Sequence, residues 1–294
     1  MIDTRSSRLG IIVAATITLS TGGSVSMAGT AHAEATLPEA PEVTVCGPLR
    51  ERFAFWSWSR LAGSADPSRV EGLAGVEPLT HRTRDGRTLE GYRLASRHPD
   101  GEVRRTVLVV GGNAMLADQV LGEFTPLAEA GLEVVVFDYR GYGRSSGRPR
   151  LLAIIGDKLE LARRLADEGT APLAFYGISM GGIVLANTLP YLRDDEQPER
   201  FVIDGSPARI SGYGCPERFD PVENLPDDTA HLMFVGGEAD SVVPLDQSVE
   251  LIEAIEAGGG RSEARPEFDH PFMDRDPRVR QTRLELIRDF LAEE

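Results

Sequence analysis

Two hydrophobic patterns alternate along most of this chain. Short continuous apolar runs lie at 106–110 (Thr-Val-Leu-Val-Val), 132–137, 172–176, 201–203 and 232–235. Runs of this length, bounded by glycine and proline, predict strands buried on both faces. Between them lie segments with apolar residues at helical spacing. The clearest is 151–168, with Leu151, Leu152, Ile154, Ile155, Leu159, Leu161 and Leu165. The same reading predicts helices over 115–130, 180–192, 245–257 and 278–293, and a last strand at 262–267. Ahead of this alternation, 79–84 and 88–95 predict two strands joined at Asp85-Gly86, a dipeptide suited to a hairpin turn. Strands alternating with helices imply an α/β fold: a mostly parallel sheet of about eight strands with helices on both faces, linked by right-handed crossovers.

The pattern divides the chain into three parts. Arg5 and Arg8 precede an apolar run at 9–19, which is shorter than the ~20 residues a bilayer span needs. Ala31-His32-Ala33 then gives a small-x-small cleavage pattern, with Ser26-Met27-Ala28 a second one. Residues 1–33 therefore read as an export signal, with an uncleaved membrane anchor as the alternative. Residues 34–77 read as an N-terminal extension, with a short helix near 48–62 whose Phe53, Phe55, Trp56 and Trp58 are expected to pack on the domain. Residues 78–294 form that domain, and no internal repeat divides it.

Chemistry concentrates at Gly177-Ile178-Ser179-Met180-Gly181, where a strand meets a helix. A tight turn there pushes the serine hydroxyl out of the backbone, and glycines two residues either side remove Cβ atoms that would clash. Gly182 gives the helix room to approach the sheet. A serine hydroxyl is a weak nucleophile and needs a base. For a serine on such a turn, the acid and then the histidine follow in chain order. Of the five histidines, only His231 and His270 follow Ser179. His231 opens a buried strand, ahead of any acid in that strand's loop. His270 sits after the last strand, in a loop opening at the sheet's carboxyl edge, as the nucleophile does. The acid should also follow a strand, and Asp240 does so after 232–235. Asp204, after the preceding strand, is the rival, and Glu238 reads as a solvated loop residue. An oxyanion needs two N–H donors. The Met180 N–H is one, and the Asn113 N–H, in the loop after the first buried strand, is the other.

These residues carry a resemblance. Gly111-Gly112-Asn113, the run from Asp138 to Gly143, the serine turn at 177–181, Asp240 to Pro244 and His270 resemble the α/β-hydrolase superfamily, and in particular its small serine hydrolases without a large cap domain. They span most of 78–294 in that family's order. One departure is visible: Gly111-Gly112 stands where the family commonly has His-Gly. The resemblance implies a secreted serine hydrolase acting on carboxylic esters or other small acyl substrates through an acyl-enzyme on Ser179, with no cofactor. A peptidase, thioesterase or acyltransferase could use the same residues, and a binding protein could keep the fold without turnover. The 207–229 segment, with Gly212, Gly214, Pro216 and Pro221, reads as loop and leaves space for only a small cover.

Charge and cysteine content narrow the partners. Formal net charge is −15, and removing Asp3, Arg5 and Arg8 with the first 33 residues leaves the remainder more acidic still. A chain of this sign is not built for nucleic acid, and its acidity disfavours an anionic lipid surface. The glycine-rich 138–147 loop lacks the Gly-Lys-Ser/Thr ending of a nucleotide cradle and reads as a structural turn. No histidine or cysteine spacing suits a metal. The two cysteines, Cys46 and Cys215, meet oxidising conditions if the chain is exported. That allows a disulfide between them, with two buried thiols as the alternative.

Overall fold

A computed structural model describes residues 43–294, so the signal-like segment at 1–33 and the first part of the extension lie outside the described residues. The predicted hairpin is formed by β1 (Val76–Arg82) and β2 (Thr88–Leu94). Its turn closes with the Gly86 N–H donating to the Thr83 carbonyl at 2.8 Å, with Gly86 at φ 80°. The buried runs become β3 (Arg105–Val110), β4 (Leu132–Phe137), β5 (Leu173–Ile178), β6 (Arg200–Asp204) and β7 (Leu232–Gly237), and the edge strand β8 is Arg261–Arg265. They form one eight-stranded sheet in the order β1-β2-β4-β3-β5-β6-β7-β8. The pairs β1–β2 and β2–β4 are antiparallel and the others parallel.

Side-chain alternation along these strands fills two cores. Leu108, Val110, Val135, Phe137 and Phe175 point to one face, while Val107, Val109, Val134, Val136 and Tyr176 point to the other. The first face is covered by α1 (Pro48–Leu61), α4 (Leu151–Glu168), α5 (Met180–Ala186) and α6 (Val249–Ala257). The second is covered by α2 (Ala117–Val120), α3 (Thr125–Glu129) and α7 (Pro277–Ala292). Helix α7 starts where local chemistry dictates: the Asp276 side chain accepts from the Arg278 N–H at 2.9 Å, and Pro277 occupies the first turn.

Two predicted helices are shorter than their periodicity suggests. The 115–130 segment breaks into α2, a 3₁₀ turn and α3. Pro126 has no N–H to donate, and the Thr125 hydroxyl takes the Gly122 carbonyl at 2.9 Å instead. The 180–192 segment ends as α5 at Ala186. Asn187 Nδ2 and Thr188 Oγ1 bond the last-turn carbonyls of Ile183 and Leu185, and Pro190 follows. The 207–229 segment, read as loop, contains three 3₁₀ turns.

The extension is held in place by covalent and polar anchors. Cys46 and Cys215 form a disulfide across a separation of 169 residues. Glu51, 3% exposed, accepts from the backbone N–H of Val45 and Cys46 at 2.7 Å each and from that of Leu151 at 3.0 Å. A buried carboxylate with three such donors is satisfied as an anion. Phe55 enters the core and Trp58 packs against it edge-on. The other two aromatics depart from expectation. Phe53 and Trp56 face outward, because α1 buries only one stripe and these positions fall on its opposite side.

Replacing both cysteines by serine should lower unfolding stability by about 2–5 kcal/mol and make residues 47–62 the first site of limited proteolysis. Urea denaturation and protease mapping of the variant against the oxidised protein test this, and an unchanged midpoint with no new cleavage would reject it.

Candidate active site

Residues from five strand ends meet at the carboxyl edge of the sheet. Ser179 links β5 to α5 with φ 53° and ψ −116°, a left-handed conformation for a non-glycine residue. The turn is possible because its neighbours lack side chains. A Cβ on Gly181 would lie 1.8 Å from the Val110 carbonyl oxygen, and one on Gly177 would lie 2.6 Å from Gly182 Cα. The strained residue is clamped from outside the turn. Its N–H donates to the Asp204 carbonyl at 2.7 Å, and its carbonyl accepts from Ser206 Oγ at 2.6 Å and from the Gly182 N–H at 3.0 Å. Ser179 remains 8% exposed.

His270 and Asp240 are brought together. His270 Nδ1 lies 2.8 Å from Asp240 Oδ2, and both residues are buried. The other carboxylate oxygen, Oδ1, accepts from the N–H groups of Val242 and Val243 at 2.8 Å each. The carboxylate is thereby fixed in orientation, and the ring with it. The Asp204-Gly205 turn lies between this pair and Ser179. Asp204 bonds the serine N–H through its carbonyl, and a Cβ on Gly205 would fall 2.6 Å from Pro271 Cδ and 3.5 Å from Asp240 Oδ2. No hydrogen bond joins Ser179 Oγ to the His270 ring among the described residues. Such nucleophile–base contacts commonly tighten only with substrate bound.

The rival acid has a different role. The Asp204 side chain is fully buried, with Oδ2 accepting from the Tyr176 hydroxyl at 2.9 Å and Oδ1 3.6 Å from the Arg283 guanidinium. Burial pushes its pKa up. Arg283, from α7, also lies 3.7 Å from Asp274 and donates to the Asp269 carbonyl, the residue before His270. Sequence reasoning missed this arginine. Its signal was a charge on the apolar stripe that continues through Leu284, Ile287 and Leu291. His231 lies at the opposite end of the sheet, its carbonyl bonded to the Phe201 N–H, with its pKa lowered by burial. Glu238 is exposed, as read from the sequence.

The loop after β3 lies against Ser179. A Cβ on Gly112 would lie 3.4 Å from Ser179 Cβ, and the Gly112 N–H is already engaged by Met115 Sδ at 3.1 Å. The Gly112 N–H is thereby taken up within the loop, and Asn113 follows it in the chain. The loop is held from below by the run after β4. The Tyr139 hydroxyl donates to the Gly111 carbonyl at 2.5 Å, and Asp138 Oδ1 accepts from the Ala117 N–H at 2.7 Å. Arg140 beside them is buried against Asp157 and Asp85. The 138–147 segment is therefore a charged buttress as well as a turn. Burial raises the Asp138 carboxyl to about 6, and burial lowers the neighbouring Lys158 amine, which donates to the Phe137 carbonyl, to about 8. No group of three or more histidine, cysteine or acidic side chains suited to a metal occurs among the described residues.

Residues 101–218 match the family model for serine aminopeptidase, S33. That stretch includes the Asn113 loop and Ser179 and stops short of Asp240 and His270. The chain is 27% identical over 245 residues to the uncharacterized protein Rv2307c of Mycobacterium tuberculosis, covering 77% of this chain and 83% of that one. It is 24% identical over 257 residues to the lysophosphatidylserine lipase ABHD12 of Xenopus tropicalis, covering 74% and 64%. Among solved structures it resembles the Pyrococcus furiosus esterase Pf2001, with a TM-score of 0.60 at 16% identity over 78% of this chain and 95% of that one.

The raised Asp138 pKa has a stability consequence. A carboxyl that binds its proton more tightly when folded contributes stability below its ordinary pKa of 3.8 and loses it as pH rises through about 6. Relative to Asp138→Asn, the native protein should lose up to roughly 3 kcal/mol between pH 4 and pH 7. Urea midpoints of both proteins across that range measure the difference, and a flat difference would contradict the assignment.

Proposed function

We propose that the chain is an exported serine hydrolase of the α/β-hydrolase superfamily that cleaves carboxylic esters through an acyl-enzyme on Ser179, a reading supported by the family match over 101–218 and the shared fold. The observation that carries this reading is the contact between His270 Nδ1 and Asp240 Oδ2, set beside a serine held at positive φ. In the proposed reaction the His270 Nε2 takes the Ser179 proton as the hydroxyl attacks the ester carbonyl. Asp240 holds the ring in the tautomer this requires and stabilises the imidazolium. The N–H groups of Met180 and Asn113 face the developing oxyanion. The tetrahedral adduct collapses, the alcohol leaves with the proton from His270, and water activated by the same ring releases the acid.

The similarity to an esterase and to a lysophospholipid lipase supports an ester substrate. The disulfide and the apolar run at 9–19 support export. The aminopeptidase name of the matched family favours one second reading, amide hydrolysis by the same residues.

Hydrolysis of p-nitrophenyl esters from acetate to long chains, alongside aminoacyl p-nitroanilides, separates the two readings. Ester turnover should fall about 10³-fold or more in Ser179→Ala and in Asp240→Asn, and less than about ten-fold in Asp204→Asn. Turnover of anilides alone would move the assignment to a peptidase. Full activity in Ser179→Ala would remove the serine mechanism altogether.

A further inference from the structure

The outward side of α1 is unlike the rest of this acidic surface. Leu49 (82% exposed), Phe53 (67%) and Trp56 (54%) follow one another at helical spacing, and Leu61 (75%) ends the helix. Interleaved with them are the exposed Arg52 and Arg60, and Arg148 faces them across a groove of 470 Å³ that Phe53 and Trp56 also line. The Arg60 guanidinium lies 5.7 Å from the Trp56 ring centre. Elsewhere, exposed arginines such as Arg69, Arg193 and Arg209 sit against carboxylates. Arg52, Arg60 and Arg148 have no acidic partner among the described residues. The helix's single acid, Glu51, is turned inward and consumed by backbone donors. In a chain of net charge −15, three arginines without carboxylate partners among the described residues, set around exposed aromatic and aliphatic side chains, form a local exception.

We propose that this face docks the protein on an anionic lipid surface. The chemistry is that of an interfacial helix: rings and leucines enter the headgroup–acyl boundary while arginines meet the phosphates. The overall negative charge does not prevent this. Charges further off than the ~10 Å screening length at 0.1 M salt contribute little, so the patch decides the local interaction. A second copy of the chain is the poorer occupant, because a two-fold contact would set these arginines against themselves. The placement of α1 gives the docking a purpose. Its anchors are residues that follow the carboxyl ends of β3, β4 and β6: Gln119 bonds Ala62, Leu151 bonds Glu51, and Cys215 bonds Cys46. Helix α1, which carries the docked face on its outer side, is therefore anchored at the edge of the sheet where Ser179 sits. The inference concerns binding and stands whether or not Ser179 turns over an ester.

Co-sedimentation of the full chain with phosphatidylcholine vesicles, with and without phosphatidylglycerol, tests it. The bound fraction should rise with phosphatidylglycerol and fall with added salt. The pairs Phe53→Ser/Trp56→Ser and Arg52→Glu/Arg148→Glu should each cut partitioning about ten-fold or more, with unchanged circular dichroism and melting temperature because all four positions are exposed. Ser179→Ala should bind as the native chain does. Equal binding by the native chain and both pairs would assign the affinity to another segment, such as the apolar run at 9–19, and overturn the proposal. So would indifference to phosphatidylglycerol. A concentration-dependent dimer abolished by Phe53→Ser/Trp56→Ser, without vesicle binding, would assign the face to a second copy.

Discussion

The closest constraint in the structure is the contact between α5 and the strand beside its own. Gly181 lies so near the Val110 carbonyl that no side chain of any size fits between them. From this approach follow the sharp turn at Ser179, its positive φ, and the position of the helix start directly behind the serine. A backbone strained in this way persists only when its surroundings over-determine it. The carbonyl of Asp204, the hydroxyl of Ser206 and the N–H of Gly182 provide that restraint by bonding both ends of the serine's own peptide units. The backbone conformation of Ser179 is thus set by how α5 packs on the sheet, with the Ser206 hydroxyl holding its carbonyl.

Around that turn the interior is unusually charged. On one side Arg140, Asp157, Asp138 and Lys158 sit beneath the loop that approaches Ser179. On the other, Asp204, Arg283 and Asp274 support the loop that carries His270. Buried ions of this kind are poor sources of net stability, because desolvation offsets much of their attraction. Their value here is directional. Asp138 accepts from the Ala117 N–H, Arg283 donates to the Asp269 carbonyl and Asp274 accepts from the Asp269 N–H, so the backbone beside Ser179 and that beside His270 are each held by a group of fixed direction. The Asp138 carboxyl, raised to about 6 by burial, shows that this arrangement is held at a cost in stability.

Much of this could be read from the residues. Runs such as 106–110 and 132–137 are apolar on both faces because helices cover both, and the structure places them as β3 and β4 at the sheet centre. The positions of Ser179, Asp240 and His270 could be anticipated because each follows a strand's carboxyl end, where chain order and sheet topology leave few choices, and the structure brings the last two into contact. What escaped was set by contacts distant in sequence. Asp204 could compete with Asp240 until its side chain was seen bonded to Tyr176 and facing Arg283. Periodicity carried α5 to 192, whereas Asn187 and Thr188 capture the carbonyls that would have continued it. The aromatic stretch was read as uniformly inward, because composition does not reveal which stripe of α1 meets the body.

The seat of α1 also sets a timetable. Synthesis produces this helix before the body it packs on, and Leu151, Tyr213 and Cys215, which hold it, are made between about half and three quarters of the way along the chain. Until residue 151 exists Glu51 lacks its Leu151 donor, and until residue 215 exists Cys46 lacks its disulfide partner, so the apolar side of α1 must wait in a solvated or chaperoned state. The bond that fixes it then requires an oxidant. Molecules completed under reducing conditions would carry the same sheet and the same serine turn, but with a tethered N-terminal arm where the oxidised protein has a fixed rim. Redox conditions at maturation would in that way decide the outline of the sheet edge that carries Ser179 without touching Ser179, Asp240 or His270.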